Sequence, residues 1–317
     1  MSRRLMRIGS GGQKLILPVI IAFVLAATSF GKDPYILVLG TAQDAGAPQM
    51  GCMSEYCQSV WNGKVKRTMV SSLAIVDPKS GRRWIFDATP DLPEQFQLLK
   101  KTTGDFSNRI DGIFLTHAHI GHYTGLMYLG KESFNAENVL VYALPRMSAM
   151  LAKNAPWSQL VSLGNIRLAE ISTSESVKLS EDISVESFTV PHRDEFSETA
   201  GFRIVVGKKS AVFIPDIDKW SKWDKSLEDV ARANNLLFID GTFFRDGEIP
   251  RPISEVPHPF VTETMEILKD LPRSLRKRVR FIHMNHSNPL LQMQKSALAE
   301  MTRSGFGVAR EGEKYEF

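Results

Sequence analysis

Three of the seven histidines in this chain fall within the seven-residue stretch THAHIGH. His117, His119 and His122 directly follow an apolar run, residues 112–116, that is predicted to form a strand. Because alternate residues of an extended segment point to the same side, His117 and His119 can share one cation. His122 comes after a turn through Gly121 and faces an adjacent position. Since neutral imidazole is the commonest zinc ligand, the stretch predicts a metal site.

Three more candidate ligands end apolar runs in the second half of the chain. His192 ends ISVESFTVPH, Asp216 ends SAVFIPD, and His286 closes VRFIHMNH. Each run is apolar enough to be a buried strand, and its last polar residue emerges where the strand meets a loop. Binding sites of α/β proteins collect at those carboxyl-terminal ends. The three side chains are therefore expected to join the histidines of THAHIGH.

The rest of the sequence alternates short apolar runs with helical patterns, and it shows no repeat and no long linker. Strands are predicted from period and composition at residues 35–40, 72–76, 83–87, 112–116, 139–143, 183–190, 201–206, 210–215, 236–240 and 279–283. Helices are predicted at residues 93–101, 121–129, 146–154, 225–234, 262–270 and 291–304. Several strands precede the first strong helix, and the second half repeats that order. We therefore expect an α/β fold of two packed sheets with helices outside.

The first 31 residues have the three parts of a secretory signal peptide. Residues 1–14 carry four basic side chains and no acidic one, residues 15–30 are almost wholly apolar, and small residues precede Lys32. Residues 1–31 are therefore predicted to be a signal peptide and residues 32–317 one domain. The product is expected to be exported, in the periplasm, with no stable membrane insertion after cleavage. The alternative is an uncleaved N-terminal anchor.

Charge and cysteine content limit the classes of partner. The net charge of +4 equals the four basic residues of the first segment, so residues 32–317 are formally neutral and nucleic acid is not an expected partner. The basic run at residues 273–280 is interpreted as a solvated helix end. Cys52 and Cys57 are the only cysteines, which favours a local disulfide or two free thiols over a zinc knuckle. The expected partner is a small-molecule substrate; the oligomeric state stays open.

The order HxHxxH, His, Asp, His resembles the metallo-β-lactamase superfamily. Asp87 in WIFDA resembles the aspartate that supports the metal ligands of that superfamily from behind. The order of elements is more similar still to the pyrroloquinoline-quinone biosynthesis B family. The matching stretches are LGTAQDAGAPQMGC (39–52), LTHAHIGHYTGLMYL (115–129), LLFIDGTFF (236–244) and FIHMNHSNPLL (281–291). This resemblance implies an αββα sandwich of two mixed sheets with helices on the outer faces.

Two departures from these families bear on the metal site. The superfamily usually has HxHxDH, whereas this chain has Gly121 at the aspartate position, which removes one ligand from the second metal site. The biosynthesis family commonly has Asp, Gln and Gly at the positions of His117, His119 and Asp216. This chain thus carries the fuller set of ligands, which favours the general hydrolytic machinery.

The resemblance suggests how the ligands divide between one or two divalent ions. The predicted ligands are His117, His119, His122, His192, Asp216 and His286. The first ion is assigned to His117, His119 and His192, and the second to His122 and His286, with Asp216 as the bridge. Zinc is favoured, and manganese and iron are alternatives. Asp218 is the alternative carboxylate ligand, His283 is expected to pack or support, and Asp44 is a candidate for lining the pocket.

The implied activity is hydrolysis of a small ester, lactone or phosphodiester. A metal pair lowers the pKa of bound water and so supplies the nucleophile as hydroxide. Asp240 and His258 resemble the dyad of the transfer-RNA 3′-processing nucleases, in which the carboxylate orients an imidazole that protonates the leaving group. His258 could equally be a proline-flanked loop residue. The alternatives are a metal-dependent oxidoreductase linked to quinone cofactor biosynthesis and a non-catalytic binding protein.

Overall fold

Six of the fourteen described strands are apolar on both sides, and the structure buries them on both faces. The computed structural model describes residues 33–249, 252 and 255–317, so the predicted signal peptide at residues 1–31 lies outside the described residues. In the strand Tyr35–Gly40 all six residues are buried, and the same is true of Ser72–Asp77. A strand with two apolar faces needs a packed layer on each side. The layers that satisfy this requirement are a second sheet and a set of helices.

The described strands form two seven-stranded sheets. The first contains β1 (Tyr35–Gly40), β2 (Ser72–Asp77), β3 (Arg82–Phe86), β4 (Gly112–Phe114), β5 (Val139–Ala143), β6 (Ile166–Glu170) and β14 (Lys314–Glu316). The second contains β7 (Ser176–Lys178), β8 (Ile183–Thr189), β9 (Ala200–Val206), β10 (Lys209–Ile214), β11 (Leu236–Asp240), β12 (Val279–Ile282) and β13 (Gly307–Val308). Both sheets are mixed.

The two sheets repeat one order of pairing. In the first, β14-β1-β2-β3 pair antiparallel and β3-β4-β5-β6 pair parallel. In the second, β7-β8-β9-β10 pair antiparallel and β10-β11-β12-β13 pair parallel. As a result β1, β3 and β4 end at one edge of the first sheet, while β8, β10, β11 and β12 end at one edge of the second.

Helices cover the outer faces. They are α1 (Glu55–Trp61), α2 (Leu92–Thr103), α3 (Ile120–Tyr123), α4 (Pro145–Lys153), α5 (Trp157–Ser162), α6 (Leu227–Ala233), α7 (Val261–Ile267), α8 (Arg273–Arg276) and α9 (Lys295–Ser304), with 3₁₀ turns at Thr124–Leu129 and Trp220–Lys222. No helix in the described ranges is long and apolar enough to cross a membrane.

Alternate residues of each strand feed different apolar cores. Ile36 and Val38 of β1 join the core between the sheets, whereas Leu37 and Leu39 join the core under α2 and α4. A third core lies between the second sheet and the helices α6, α7 and α9. Three cores separate four layers, which confirms the predicted αββα sandwich.

The predicted elements differ from the observed ones where tertiary contacts override the local pattern. The predicted helix 121–129 is a short α-helix followed by a 3₁₀ turn, because the amide of Gly125 donates to the carbonyl of Ala88 instead of continuing the helix. The predicted helix 291–304 begins only at Lys295, since Met293 has a left-handed φ of 59°.

Candidate metal centre

The carboxyl-terminal ends of the strands bring the predicted ligands to one edge of the sandwich. Loops after β1, β3 and β4 come from the first sheet, and loops after β8, β10, β11 and β12 come from the second. These loops carry, in chain order, Asp44, Asp87, His117, His119, His192, Asp216 and His283. Asp240 is the last residue of β11, and His122 lies in the short helix α3. The fold therefore concentrates the titratable groups of both halves along a single seam.

Four side chains form what we call the first cluster: His117, His119, His192 and Asp216. The Nδ1 atom of His119 lies 2.8 Å from Nε2 of His117 and 3.3 Å from Nε2 of His192. The Oδ2 atom of Asp216 lies 3.3 Å from Nε2 of His117 and 3.2 Å from Nε2 of His192. All four atoms lie within 4.8 Å of one another, a spacing that one ion can span.

The outward nitrogens of two of these rings have their own partners. Nδ1 of His117 lies 3.0 Å from the hydroxyl of Thr116, which in turn donates to the buried carboxylate of Asp87. Nε2 of His119 lies 3.4 Å from Glu195. When the outward nitrogens carry the protons, Nε2 of His117 and Nδ1 of His119 are both unprotonated. Their lone pairs then face each other at 2.8 Å, which is repulsive. A cation between them removes that repulsion, so the residues fit a metal ion.

Three side chains form the second cluster: Asp44, His122 and His283. The Oδ1 atom of Asp44 lies 3.4 Å from Nε2 of His122 and 3.7 Å from Nε2 of His283. These three atoms are buried and have no hydrogen-bond partner in the part of the chain that the structure describes. Buried polar atoms without partners are rare, and three that face one another fit a bound cation. Oδ2 of Asp216, a residue of the first cluster, lies 3.8 Å from Nε2 of His122 and 4.0 Å from Nε2 of His283.

The imidazoles of the second cluster are oriented from behind. Asp87 is fully buried, and its Oδ2 accepts a 2.7 Å hydrogen bond from Nδ1 of His122. Thr242 donates to the carbonyl of His283 and lies 3.0 Å from Nδ1 of the same residue. Each bond leaves Nε2 as the nitrogen that faces the cluster. Asp87 therefore lies behind His122, and its role as a support of metal ligands stays a prediction.

The structure corrects the prediction for His286. The strand β12 ends at Ile282, so the first residue after it is His283, whose φ of 63° is left-handed. His283 therefore occupies the place predicted for His286, contrary to the expected supporting role. His286 lies three residues further on, beside Cys52 and Cys57, which form a disulfide with a Cα–Cα distance of 6.0 Å.

The two carboxylates that were placed beside the site also change roles. Asp218, the alternative ligand, accepts hydrogen bonds from Nζ of Lys222 and from the amide of Lys219, and it joins neither cluster. Asp44, expected only to line a pocket, belongs to the second cluster. The sequence offered no periodic signal for Asp44, because it follows β1 in an irregular loop.

Electrostatics keep the inner groups in different protonation states. Burial and the neighbouring His122 hold the pKa of His117 well below its usual value, so His117 is a neutral imidazole. Burial raises the pKa of Asp216, but the surrounding His192, His258 and His283 outweigh it and hold that pKa well below its usual value. Burial lowers the pKa of His122, yet Asp87 and Asp44 raise it to about 10. A cation that binds His122 must displace a proton.

The predicted dyad is also formed. Nδ1 of His258 donates to Oδ2 of Asp240 at 2.8 Å, and it lies 3.2 Å from Oδ1 of Asp216. Asp240 is fully buried and accepts from the amides of Ile217 and Thr242 as well. Burial lowers the pKa of His258, but the two carboxylates raise it to about 9. This network fixes the ring and leaves Nε2 as the nitrogen available to a ligand.

A cavity of about 560 Å³ adjoins the dyad. His258 lines it together with Gln43, Phe243 and three basic residues, Arg193, Lys219 and Lys222. Lys219 also pairs with Glu263, and Lys222 pairs with Asp218. Arg193 directly follows the ligand His192 and acts electrostatically on His119. Asp218 and Glu255 line the cavity as well, so the lining carries both signs of charge, with Arg193 next to the first cluster.

Comparison with known proteins agrees with this architecture. Residues 82–284 match the family described as the beta-lactamase superfamily domain, and the chain belongs to this superfamily. It is 26% identical over 306 residues to coenzyme PQQ synthesis protein B of Methylorubrum extorquens strain PA1, covering 88% of this chain and 98% of that protein. It is 27% identical over 308 residues to the protein of the same name in Pseudomonas paraeruginosa, with the same coverage.

Solved structures show the same fold. The zinc-bound PqqB of Methylobacterium extorquens superposes with a TM-score of 0.74 at 23% identity, covering 89% of this chain and all of that chain. A diphosphatase of the PhnP family superposes with a TM-score of 0.62 at 22% identity, covering 90% and 97%. The predicted resemblance to the superfamily and to the quinone-biosynthesis proteins is confirmed.

Proposed function

We propose that this protein is an exported, metal-dependent hydrolase of a small ester, lactone or phosphodiester. The observation that carries the proposal is the first cluster, in which four ligand atoms face one point beside an Asp–His dyad. His117, His119, His192 and Asp216 would hold a divalent ion, with zinc favoured over manganese and iron. Such an ion supplies a Lewis acid and lowers the pKa of bound water.

The residues of the chain supply the remaining steps. Asp240 holds Nδ1 of His258, so Nε2 of His258 can protonate the leaving oxygen of a substrate in the adjoining cavity. Arg193, which follows His192, would bind and orient an anionic group in the same cavity, where Lys219 and Lys222 are each paired with a carboxylate. No serine or cysteine nucleophile is required.

A phosphodiester is the substrate class that we favour, because Arg193 lines the cavity beside the first cluster. Among the solved structures with this fold are a diphosphatase of the PhnP family, the short form of human tRNase Z and yeast PDE1, at TM-scores of 0.62, 0.53 and 0.56. The formally neutral charge of residues 32–317 argues against a nucleic acid partner, so a small phosphodiester is proposed.

The names of the curated relatives favour a second candidate, a metal-dependent oxidoreductase linked to quinone cofactor biosynthesis. Those relatives are called coenzyme PQQ synthesis protein B. Three histidines and a carboxylate also suit iron, so the metal itself separates the two candidates. A non-catalytic binding protein is the weaker alternative, because both the first cluster and the dyad are intact.

Metal content and activity of the purified full-length protein test the proposal. We expect zinc or manganese in elemental analysis and hydrolysis of bis(p-nitrophenyl) phosphate or a p-nitrophenyl ester. The variant His119→Ala should lose the bound metal and the hydrolytic activity. The matched control is Asp77→Asn, a buried carboxylate at the end of β2 that belongs to neither cluster. Iron with substrate-dependent oxygen consumption would instead establish the oxidoreductase. Absence of metal after reconstitution would refute both.

Export rests on the basic and apolar halves of residues 1–31, and the disulfide between Cys52 and Cys57 supports it, since disulfides persist in oxidising compartments. Cell fractionation and mass determination of the N-terminus test this part. A periplasmic protein that begins at Lys32 is expected. A membrane-bound protein that retains the first residues would establish the anchor instead, and a cytoplasmic one would refute export.

A further inference from the structure

The space beside Gly121 is occupied by another part of the chain. Gly121 stands where the superfamily motif HxHxDH has aspartate. A Cβ atom on Gly121 would lie 2.4 Å from Cα of Asp44 and 2.5 Å from its Oδ1. Real Cβ atoms essentially never come so close to a backbone atom. The side chain missing at 121 is thus replaced in space by Asp44, which follows β1 far earlier in the sequence.

Asp44 points a buried oxygen at Nε2 of His122 and Nε2 of His283. Its side chain keeps about a third of its exposed area, 32%, but Oδ1 is buried and without a hydrogen-bond partner among the described residues. Nε2 of His122 and Nε2 of His283 share that condition and lie 3.4 and 3.7 Å away. The three atoms are therefore the inner faces of one small polar site.

The loop that carries Asp44 is fastened to the strand end that carries His283. The amide of Gln43 donates to the carbonyl of Met284, and the amide of Met284 donates to the carbonyl of Thr41. Gln43 and Met284 are the immediate chain neighbours of Asp44 and His283. The backbone of Asp44 itself has a φ of 21°, which is outside the usual regions for an L-residue. The position of its carboxylate is thus set by backbone structure.

We propose that Asp44 is the carboxylate ligand of a second divalent ion, held with His122 and His283, and that it replaces the aspartate absent at position 121. Asp216, whose Oδ2 lies 3.8 and 4.0 Å from the two histidine nitrogens, links this ion to the first cluster. Two imidazoles and two carboxylates suit zinc or manganese. Asp44 lies outside residues 82–284, the range that matches the superfamily. The proposal rests on the proposed function in that it places a second ion in the same centre.

The experiment is zinc titration of the metal-depleted full-length protein, with stoichiometry from elemental analysis and affinity from competition with a chromophoric chelator. Wild type is expected to bind two ions. Asp44→Asn keeps the size of the side chain and should bind one, with the second affinity lowered about 100-fold or more, since even groups behind a ligand are worth 10–100-fold. Asp77→Asn, the control carboxylate at the end of β2, should bind two.

Gly121→Ala gives an independent test that changes no ligand. Its methyl group would meet Cα of Asp44, displace the loop and weaken the second ion while the first ion stays. Unchanged binding of two ions in both Asp44→Asn and Gly121→Ala would overturn the proposal. A wild-type protein that binds a single ion would overturn it but leave the proposed hydrolase standing. A wild-type protein that binds none would remove both.

Discussion

The first and second clusters of this protein meet at Asp216 but differ in how they are assembled. The first cluster takes its histidines from THAHIGH and from the loop after β8, and a neutral hydroxyl and a half-exposed glutamate support two of its rings. The second cluster joins loops from the two ends of the domain, and the fully buried Asp87 supports its central imidazole. Two of the four residues of the first cluster come from a single motif, whereas the three residues of the second meet only when distant chain segments pack together.

Asp216→Asn should have the largest effect on metal binding and activity, because Asp216 lies close to histidines of both clusters. Its Oδ2 atom lies between 3.2 and 4.0 Å from nitrogens of four histidines. We expect the variant to lose both ions and to fall to background hydrolysis, as measured by elemental analysis beside an activity assay. If the variant kept two zinc ions, Asp216 would not link the clusters.

His258→Ala should separate chemistry from metal binding. Removal of a general acid lowers kcat by about 10²–10⁴-fold, and both clusters should keep their ions. The loss should be smaller for a p-nitrophenyl substrate, whose leaving group needs no proton, than for an alkyl ester of the same phosphate. Equal losses on both substrates, or a loss of metal, would assign His258 a different role.

Asp87→Asn should distinguish the two clusters by affinity. The carboxylate supports His122 directly and His117 only through the hydroxyl of Thr116. We expect a loss of about 10–100-fold in the affinity of the second ion and a smaller loss for the first. Zinc competition titration measures both values. A larger loss at the first cluster would show that support passes mainly through Thr116.

Glu195→Gln should have the smallest effect. The carboxylate is half exposed and lies 3.4 Å from the outward nitrogen of His119. Exposed pairs of this kind contribute little, so the first-ion affinity is expected to change at most about fivefold. The same titration checks it, and the second ion serves as the internal control. A change as large as that of Asp87→Asn would contradict the contrast between exposed and buried support.

The sequence predicted the parts of the site that follow apolar strands. His117, His119, His192 and Asp216 converge as expected, and the strand 236–240 was predicted to the residue. His286 was assigned instead of His283 because both stand in FIHMNH, and only the true end of β12 distinguishes them. Polar edge strands such as β6 and β7 were missed, since exposed positions interrupt their apolar pattern.

Asp44 could not be identified as a ligand from the sequence by any local rule. Its contact with Gly121 depends on the packing of the loop after β1 against α3. No residue pattern within either segment predicts that contact. The sequence does show that Gly121 stands where the superfamily motif usually has aspartate. A missing ligand in a familiar motif is therefore a reason to search the structure for a replacement from a different segment.

The hydrogen bonds that fasten the loop of Asp44 to the end of β12 also bear on how the protein folds. They join chain segments from opposite ends of the domain, and contacts of such long range form late, after the entropy of closing the intervening chain has been lost. A metal ion would then bind the second cluster only after the two halves of the domain have docked, and its binding would favour the docked state. In refolding, uptake of the second ion should report the last step of assembly.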